Sequence, residues 1–505
     1  MNDSDDLLDL IKSLSRSEKR YFKLYASTHK NESRVVRLFD VLEKKERYDI
    51  KGNDPVFKKG TLPVIKNHLY KLILKSMYAY RSESSVKLKL KESIAHIDFL
   101  SQKGLFSQSV KMIEKAKHLA RKYDYPLEMM ELIDMSMLTA SQQWFRKAAS
   151  EDIDKMLHDM INSTEEWKAY AEYEAIGYKI SLAISKKGFR TDNDTRKYED
   201  EIKKMLIQLK KNKQMPFRTQ FAICITACAW YYNFKKSREA YSVMIHLTSV
   251  FESNAHYIQN FPSMYMVCIG NLMNCQIALK KYKGLERSIS NLDRVPIASE
   301  SIKTRIFFYR YTVRLALCKY TGDMNKGMKW VEEIEKKHLA ELKGLDSKPR
   351  VHLCFEIACT YFGAGNYLST KKYLREIINT TGDTRDDIQC FARLLNLIVY
   401  YETGEQEMLE YAARSVYRFL LKREGIFKME NLLLKFLRNK APKINSKKER
   451  ADAFTELKKE LEKVIKDPYE ASTMLAFDLI SWLHSKISGQ PFSKIVREKA
   501  RVEGR

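Results

Sequence analysis

Apolar residues recur along this chain in paired segments that have the period of an α-helix. In the clearest pair, apolar residues stand three or four positions apart in each segment: Ile357, Ala358 and Tyr361, then Leu374, Ile377 and Ile378. This spacing places the apolar side chains of each segment on one face of a helix. Gly363 and Gly365 bracket the turn between the segments, where a residue with positive φ is needed. The pattern predicts a helical hairpin.

The same pattern recurs through most of the chain. Three further copies have clear turns at Gly104, Gly322 and Gly404, and weaker copies centre near Ala148, Gly188, Lys235 and Lys280. With Gly365 these make eight turn positions, which follow one another at intervals of 39 to 47 residues. The sequence therefore predicts an all-α array of about eight stacked hairpins. We also expect Gly322, Gly365 and Gly404 to adopt positive φ, which only glycine does at little cost.

The clearest copy, residues 354–378, resembles the tetratricopeptide (TPR) family. It has a small residue and an aromatic residue before a Gly-Asn-Tyr turn, followed by a second amphipathic helix. The resemblance implies an α-solenoid, a right-handed superhelix whose concave groove is lined by the first helix of each hairpin. The interval between turns is longer than the roughly 34 residues of a standard TPR unit. Each hairpin must therefore have longer helices or longer loops.

In TPR-like arrays, extended peptides or helices bind along the groove. By position in the repeat, the resemblance places five residues there, near the ends of successive first helices: Tyr232, Ile277, Lys319, Phe362 and Tyr401. These groove residues are the predicted contacts to a protein or peptide partner, with aromatic anchors and Lys319 for an acidic group. The alternative is that they pack against adjacent repeats.

Two terminal segments flank the array, so we divide the chain into residues 1–85, 86–430 and 431–505. The last segment carries an apolar stripe that includes Trp482 and ends at Gly489, which predicts a helical cap for the final repeat. Residues 440–450 are predicted to form a basic loop before this cap.

The first segment contains its own helix signals. Ser15 and Glu18 form a capping box that begins a helix through Ser27, and two further helices are predicted from Val35 to Lys44 and from Pro63 to Tyr80. Three short helices could form a helix-turn-helix-like DNA-binding unit or simply an amino-terminal cap. In the first case, eight basic candidates would contact nucleic acid: Lys19, Arg20, Lys23, Arg34, Arg37, Lys66, Lys71 and Lys75.

Composition agrees with long helices and adds a positive charge. The 505 residues include only 17 Gly and 10 Pro, well below the roughly 12% of average proteins. The 90 Lys and Arg residues exceed the 64 Asp and Glu residues, giving a net charge of +26 that attracts acidic partners or nucleic acid. Acidic and basic residues nevertheless alternate along most of the chain, as they do on solvated helix surfaces.

Recognisable catalytic motifs are missing. The sequence has no GxxxxGK[ST], GxGxxG, HExxH or GxSxG, so we expect no catalytic residues, metal site or cofactor. The amino terminus has no apolar signal segment, and no apolar stretch approaches the roughly 20 residues that cross a bilayer. The eight cysteines form no CxxC pair and are typical of a reduced interior. We expect a cytoplasmic, bacterial protein without membrane insertion.

Three functions follow from these features. The expected one is a non-catalytic scaffold that holds a protein or peptide partner in the groove. The first alternative is a transcriptional regulator, resembling bacterial regulators that join an amino-terminal helix-turn-helix to a TPR-like sensor. The second is a basic scaffold associated with nucleic acid or ribonucleoprotein, which binds through charge and is sensitive to salt.

Overall fold

The computed structural model describes residues 3–28, 33–44, 61–82, 85–142, 150–185, 192–234, 236–297, 299–381, 386–422, 428–444, 446–466, 470 and 477–502. Throughout these residues the regular structure is helical, without a β-strand, which confirms the all-α prediction. The α-helices in chain order are α1 Asp3–Ser13, α2 Arg16–Ser27, α3 Ser33–Lys44, α4 Leu62–Ser82, α5 Val86–Gln102, α6 Phe106–Lys122, α7 Pro126–Gln142, α8 Ser150–Ser185, α9 Asp192–Lys211, α10 Phe217–Asn233, α11 Ser237–Ser253, α12 Ala255–Asn260, α13 Pro262–Ala278, α14 Leu285–Asn291, α15 Glu300–Thr321, α16 Met324–Lys337, α17 Leu339–Lys343, α18 Ser347–Gly363, α19 Tyr367–Asn379, α20 Asp386–Glu402, α21 Gln406–Lys422, α22 Lys428–Lys435, α23 Lys447–Val464, α24 Leu479–Ser488 and α25 Phe492–Val502.

Contacts between residues divide the chain into two compact units. Unit 1 comprises Met1–Thr226, Ser249–Pro262 and Ile297–Glu300. Unit 2 comprises Ala227–Thr248, Ser263–Pro296 and Ser301–Arg505. Residues 1–85 therefore share a unit with the helices that follow them, and residues 431–505 share a unit with the helices that precede them.

Five of the eight predicted turn positions lie among the described residues, and each has a positive φ. The angles are 74° at Gly104, 57° at Lys280, 73° at Gly322, 77° at Gly365 and 71° at Gly404. At the Gly365 turn, the N–H of residue 366 donates to the carbonyl of residue 361, and the N–H of residue 365 donates to that of residue 362. This is the hydrogen-bond pattern of a Schellman helix ending. The predicted backbone conformation of the three glycines is confirmed, whereas positions 148, 188 and 235 lie outside the described residues.

The predicted hairpin period is wrong between positions 148 and 188. A hairpin should end and another begin there, but α8 is one continuous helix of 36 residues. Its interior contains no proline and a single glycine, Gly177, and this glycine serves packing rather than a turn. A Cβ at Gly177 would lie 2.5 Å from the side-chain oxygen of Thr226, so only glycine allows the helix to approach so closely.

The amino-terminal helices follow the sequence closely. The N–H of Glu18 donates to the Ser15 hydroxyl at 3.2 Å and the N–H of Ser15 donates to the Glu18 carboxylate at 2.9 Å, so the predicted capping box is present. Helices α2, α3 and α4 lie within two residues of their predicted bounds. Together with α1 they enclose an apolar core that includes the fully buried side chains of Ile11, Phe22 and Phe39.

The carboxyl-terminal helices pack onto the preceding ones within unit 2. Helix α24 ends at Gly489, which has φ 70°, as predicted. Trp482 of this helix is fully buried, its ring lies 5.5 Å from that of Phe454, and its Nε1 donates to Glu402 at 2.6 Å. The basic loop predicted at residues 440–450 is shorter than expected, because α23 already begins at Lys447 behind the N-cap residue Ser446.

Candidate functional site

Two of the five groove residues are already engaged inside the fold. Lys319 is 7% exposed, and its Nζ donates to the Glu356 carboxylate at 2.8 Å. Phe362 is 2% exposed, and its ring lies 5.2 Å from Phe477 and 5.6 Å from Phe492. Helix α25 and Phe477, two residues before α24, therefore cover the surface at Phe362. Neither Lys319 nor Phe362 is available to a partner in this conformation.

The other three groove residues differ in exposure. Tyr401 is half-buried, with its ring 5.7 Å from Phe454 and 6.2 Å from Trp482. Ile277 is half-buried and Tyr232 is exposed. The structure thus places the five residues near helix ends, as expected, but it does not present them together as an exposed row.

The eight basic candidates of the amino-terminal helices also fall into different groups. Lys19 and Lys23 form ion pairs with Glu43 at 3.4 and 3.0 Å, and Lys23 also pairs with Asp40 at 2.7 Å. Lys66 is half-buried. Five of the side chains are exposed: Arg20, Arg34, Arg37, Lys71 and Lys75. The ion pairs of Lys19 and Lys23 hold α2 against α3, so these two lysines have a structural role.

Unit 1 contains an open cavity of about 440 Å³ that no sequence motif indicated. We call it the unit 1 cavity. Its walls come from four separate parts of the chain: the α6–α7 turn, the middle of α8, the start of α10 and the α11–α12 region. Carboxylates, one guanidinium and aromatic rings meet in it: Asp124, Asp159, Glu166, Arg121, Tyr125, Phe217 and Tyr257.

Asp124 shapes the edge of this cavity. It has φ 54° in the turn between α6 and α7, a conformation for which the Gly104, Gly322, Gly365 and Gly404 turns use glycine. Among other residues, aspartate and asparagine tolerate this region best. The Asp124 carboxylate accepts a hydrogen bond from the backbone N–H of Arg218 at 2.6 Å, and its carbonyl accepts one from the Arg218 Nε at 3.0 Å. The turn is thereby fixed to the first turn of α10.

An aromatic cluster also borders the cavity. The ring of Phe217 stacks on that of Tyr257, with centroids 4.0 Å apart and an angle of 17° between the ring planes. The Arg218 guanidinium lies 5.2 Å from the centroid of Tyr125 and 5.1 Å from that of Phe261. Both distances are within the range of cation–π attraction. The cluster therefore already accommodates one guanidinium of the chain itself.

The three carboxylates at the cavity outnumber the described guanidinium groups beside them, those of Arg121 and Arg218. Burial raises the pKa of Asp124 above its ordinary value, despite the hydrogen bond and charge of Arg218. Burial also raises the pKa of Glu166, and the nearby charge of Asp124 adds to this effect, whereas Arg121 opposes it. The ion pair between Arg121 and Asp159 is long, at 3.8 Å. A cation that entered the cavity would favour the ionised carboxylates.

The described part of the chain lacks two other kinds of site. Its His, Cys, Asp and Glu side chains form no group of three or more that could hold a metal ion. Nor does any helix there combine the length and apolar character needed to span a membrane. All eight cysteines are buried and unpaired by disulfides.

Comparison with known proteins found no match to a family model, a curated protein or a solved structure.

Proposed function

We propose that this protein is a non-catalytic binding protein that holds a protein or peptide partner, with the unit 1 cavity as its main contact site. The observation that carries the proposal is the meeting of carboxylates and aromatic rings from four parts of the chain around one open space of about 440 Å³. Pockets of this size with an aromatic wall and a few polar groups are typical binding sites. Asp124 supports a binding role because its hydrogen bonds to Arg218 fix the α6–α7 turn against the start of α10, and both of these segments line the cavity.

We also propose that the hairpins belong to a TPR-like superhelix with helical caps. The five described turns share a residue with positive φ one or two positions after the end of a helix. Successive helices also pack on one another, from α5 to α8 and again from α18 to α21. Both features are expected of stacked helical repeats.

The unit 1 cavity is a better test site than the groove residues. Replacing Lys319, Phe362 and Tyr401 by alanine would remove an ion pair and two sets of aromatic contacts inside unit 2. Such a variant would report on stability before it reported on binding.

Filling the cavity is expected to weaken peptide binding. Asn162 lines the cavity on α8 and is exposed, so Asn162→Trp places a bulky ring in the open space without disturbing the core. Twelve-residue peptides selected from a random display library on the wild-type chain should bind this variant at least ~10-fold more weakly, equivalent to ~1.4 kcal/mol. Isothermal titration calorimetry measures the difference.

Glu165→Trp is the matched control, because Glu165 is exposed on the same helix but does not line the cavity. It should bind the selected peptides as the wild type does. The proposal fails if no peptide is enriched over beads without protein, or if Asn162→Trp binds as tightly as the control.

Nucleic-acid binding is a second candidate function, supported by the five candidate basic side chains that are exposed on α2, α3 and α4. If it holds, the wild-type chain is retained on heparin at about 50 mM salt and elutes steeply as salt rises. The double variant Lys71→Glu with Lys75→Glu should elute at clearly lower salt, because these lysines are exposed on α4.

The control for this prediction is Lys213→Glu with Lys283→Glu, which changes the net charge equally at two other exposed positions. If the salt concentration of elution falls equally for both double variants, the result favours a basic scaffold that binds through net charge alone. If the wild-type chain is not retained on heparin, both nucleic-acid functions are excluded: the transcriptional regulator and the basic scaffold.

A further inference from the structure

We infer that the unit 1 cavity receives a cationic side chain of the partner, and that it takes the guanidinium of arginine in preference to the ammonium of lysine. The inference rests on the proposed function, because it names the chemical class of ligand for that same site. Four observations on unit 1 carry it: the open space of the cavity, its charge, its acceptors and its aromatic wall.

The charge of the cavity is opposite to that of the chain. The whole sequence carries +26, yet among the described residues three carboxylates and one guanidinium, that of Arg121, line this space, with the Arg218 guanidinium beside it. A neutral or anionic ligand would leave that local excess of negative charge in place. A cationic ligand would relieve it, and the raised pKa values of Asp124 and Glu166 point in the same direction.

The hydrogen-bond acceptors come from two directions. Asp124 stands on the α6–α7 turn, whereas Asp159 and Glu166 stand about two helical turns apart on α8. One oxygen of Asp124 accepts from the N–H of Arg218, and the carboxylate retains further lone pairs. A guanidinium has five N–H donors in a plane, so it can reach acceptors on both sides at once, whereas an ammonium is a compact point charge.

The aromatic wall favours a flat cation. Phe217 and Tyr257 line the cavity as a nearly parallel stack. The adjoining rings of Tyr125 and Phe261 already hold the guanidinium of Arg218 at 5.2 and 5.1 Å. Guanidinium planes stack on aromatic faces better than ammonium groups do. The chain therefore contains, next to the cavity, an example of the contact that we assign to the ligand.

The test uses three small probes on the full-length protein: N-acetyl-arginine amide, N-acetyl-lysine amide and the neutral isostere N-acetyl-citrulline amide. Saturation-transfer NMR titrations should show arginine binding, at least fivefold weaker lysine binding and no citrulline binding. The double variant Asp159→Asn with Glu166→Gln should bind arginine at least fivefold more weakly than the wild type. It leaves Asp124 and its cap on α10 intact.

The matched control is Asp154→Asn with Glu165→Gln, which removes the same charges from exposed positions of α8 outside the cavity. It should bind arginine as the wild type does, and circular dichroism checks that both double variants keep their helicity. The inference of a cationic ligand is overturned if the citrulline probe binds as tightly as the arginine probe. It is also overturned if the Asp159→Asn, Glu166→Gln variant binds the arginine probe as tightly as the wild type does. Equal binding of lysine overturns the preference for arginine.

The two proposals can fail separately. If selected peptides bind in the cavity but the arginine probe does not, the binding function stands and the cationic ligand class is wrong. If the arginine probe binds but no peptide does, the ligand class stands and the peptide partner is wrong.

Discussion

Gly322→Ala is expected to destabilise the protein by about 2–4 kcal/mol. The new Cβ would lie 2.6 Å from the backbone nitrogen of Arg497 and 2.8 Å from the carbonyl oxygen of Ser493. Both atoms belong to the backbone of α25, so the helix itself would have to move, and forced overpacking costs ~1–3 kcal/mol. The positive φ of 73° adds about 1 kcal/mol for any residue with a Cβ. Urea unfolding followed by circular dichroism measures the loss.

Gly365→Ala separates these two contributions. Gly365 has φ 77°, but a Cβ there would meet nothing within 4 Å. This variant should therefore lose only the conformational part, about 1 kcal/mol. If both variants lost the same stability, the close contact between the Gly322 turn and α25 would not contribute.

Lys319→Met is expected to cost about 3–5 kcal/mol, the usual result of breaking a buried ion pair by removing one partner. Glu356 is 5% exposed, and its second carboxylate oxygen has no hydrogen-bond partner in the described structure. Without Lys319, a largely unsatisfied charge would remain in the interior. The double variant Lys319→Met with Glu356→Met should recover most of the loss, because it buries no charge.

The pH dependence of this pair provides a further check. Burial is the largest single effect and by itself would lower the pKa of Lys319, but the charge and hydrogen bond of Glu356, together with the nearby Tyr320 and Cys359, outweigh it and raise the pKa above the ordinary value of 10.5. The pair therefore stabilises the fold fully below pH 10.5, and the contribution is lost only as pH rises above that value. The stability difference between the wild type and Lys319→Met should be constant from about pH 7 to 9. If Lys319→Met with Glu356→Met were as unstable as Lys319→Met alone, the loss would not come from the unpaired charge of Glu356.

The sequence by itself determined where several of the helices begin or end. The capping box at Ser15 and Glu18, the positive φ of Gly365 and the helix end at Gly489 were all predicted from nearby residues. These features depend on backbone conformation and on hydrogen bonds between residues a few positions apart, so local sequence is sufficient to specify them. The residues Tyr123 to Pro126 contain a comparable local signal, with a helix-opening proline after Asp124, that could have revealed the α6–α7 turn.

Only the tertiary structure decided which side chains are available to a binding partner. Lys319 has its partner 37 residues away, at Glu356, and Phe362 is covered by residues more than a hundred positions later. The unit 1 cavity likewise combines Asp124, Glu166 and Tyr257 from distant parts of the chain. Helical periodicity shows which face of a helix is apolar, but it does not show which other helix covers that face. Burial, charge pairing and cavity shape depend on that choice of neighbour, because they arise only when distant segments pack together.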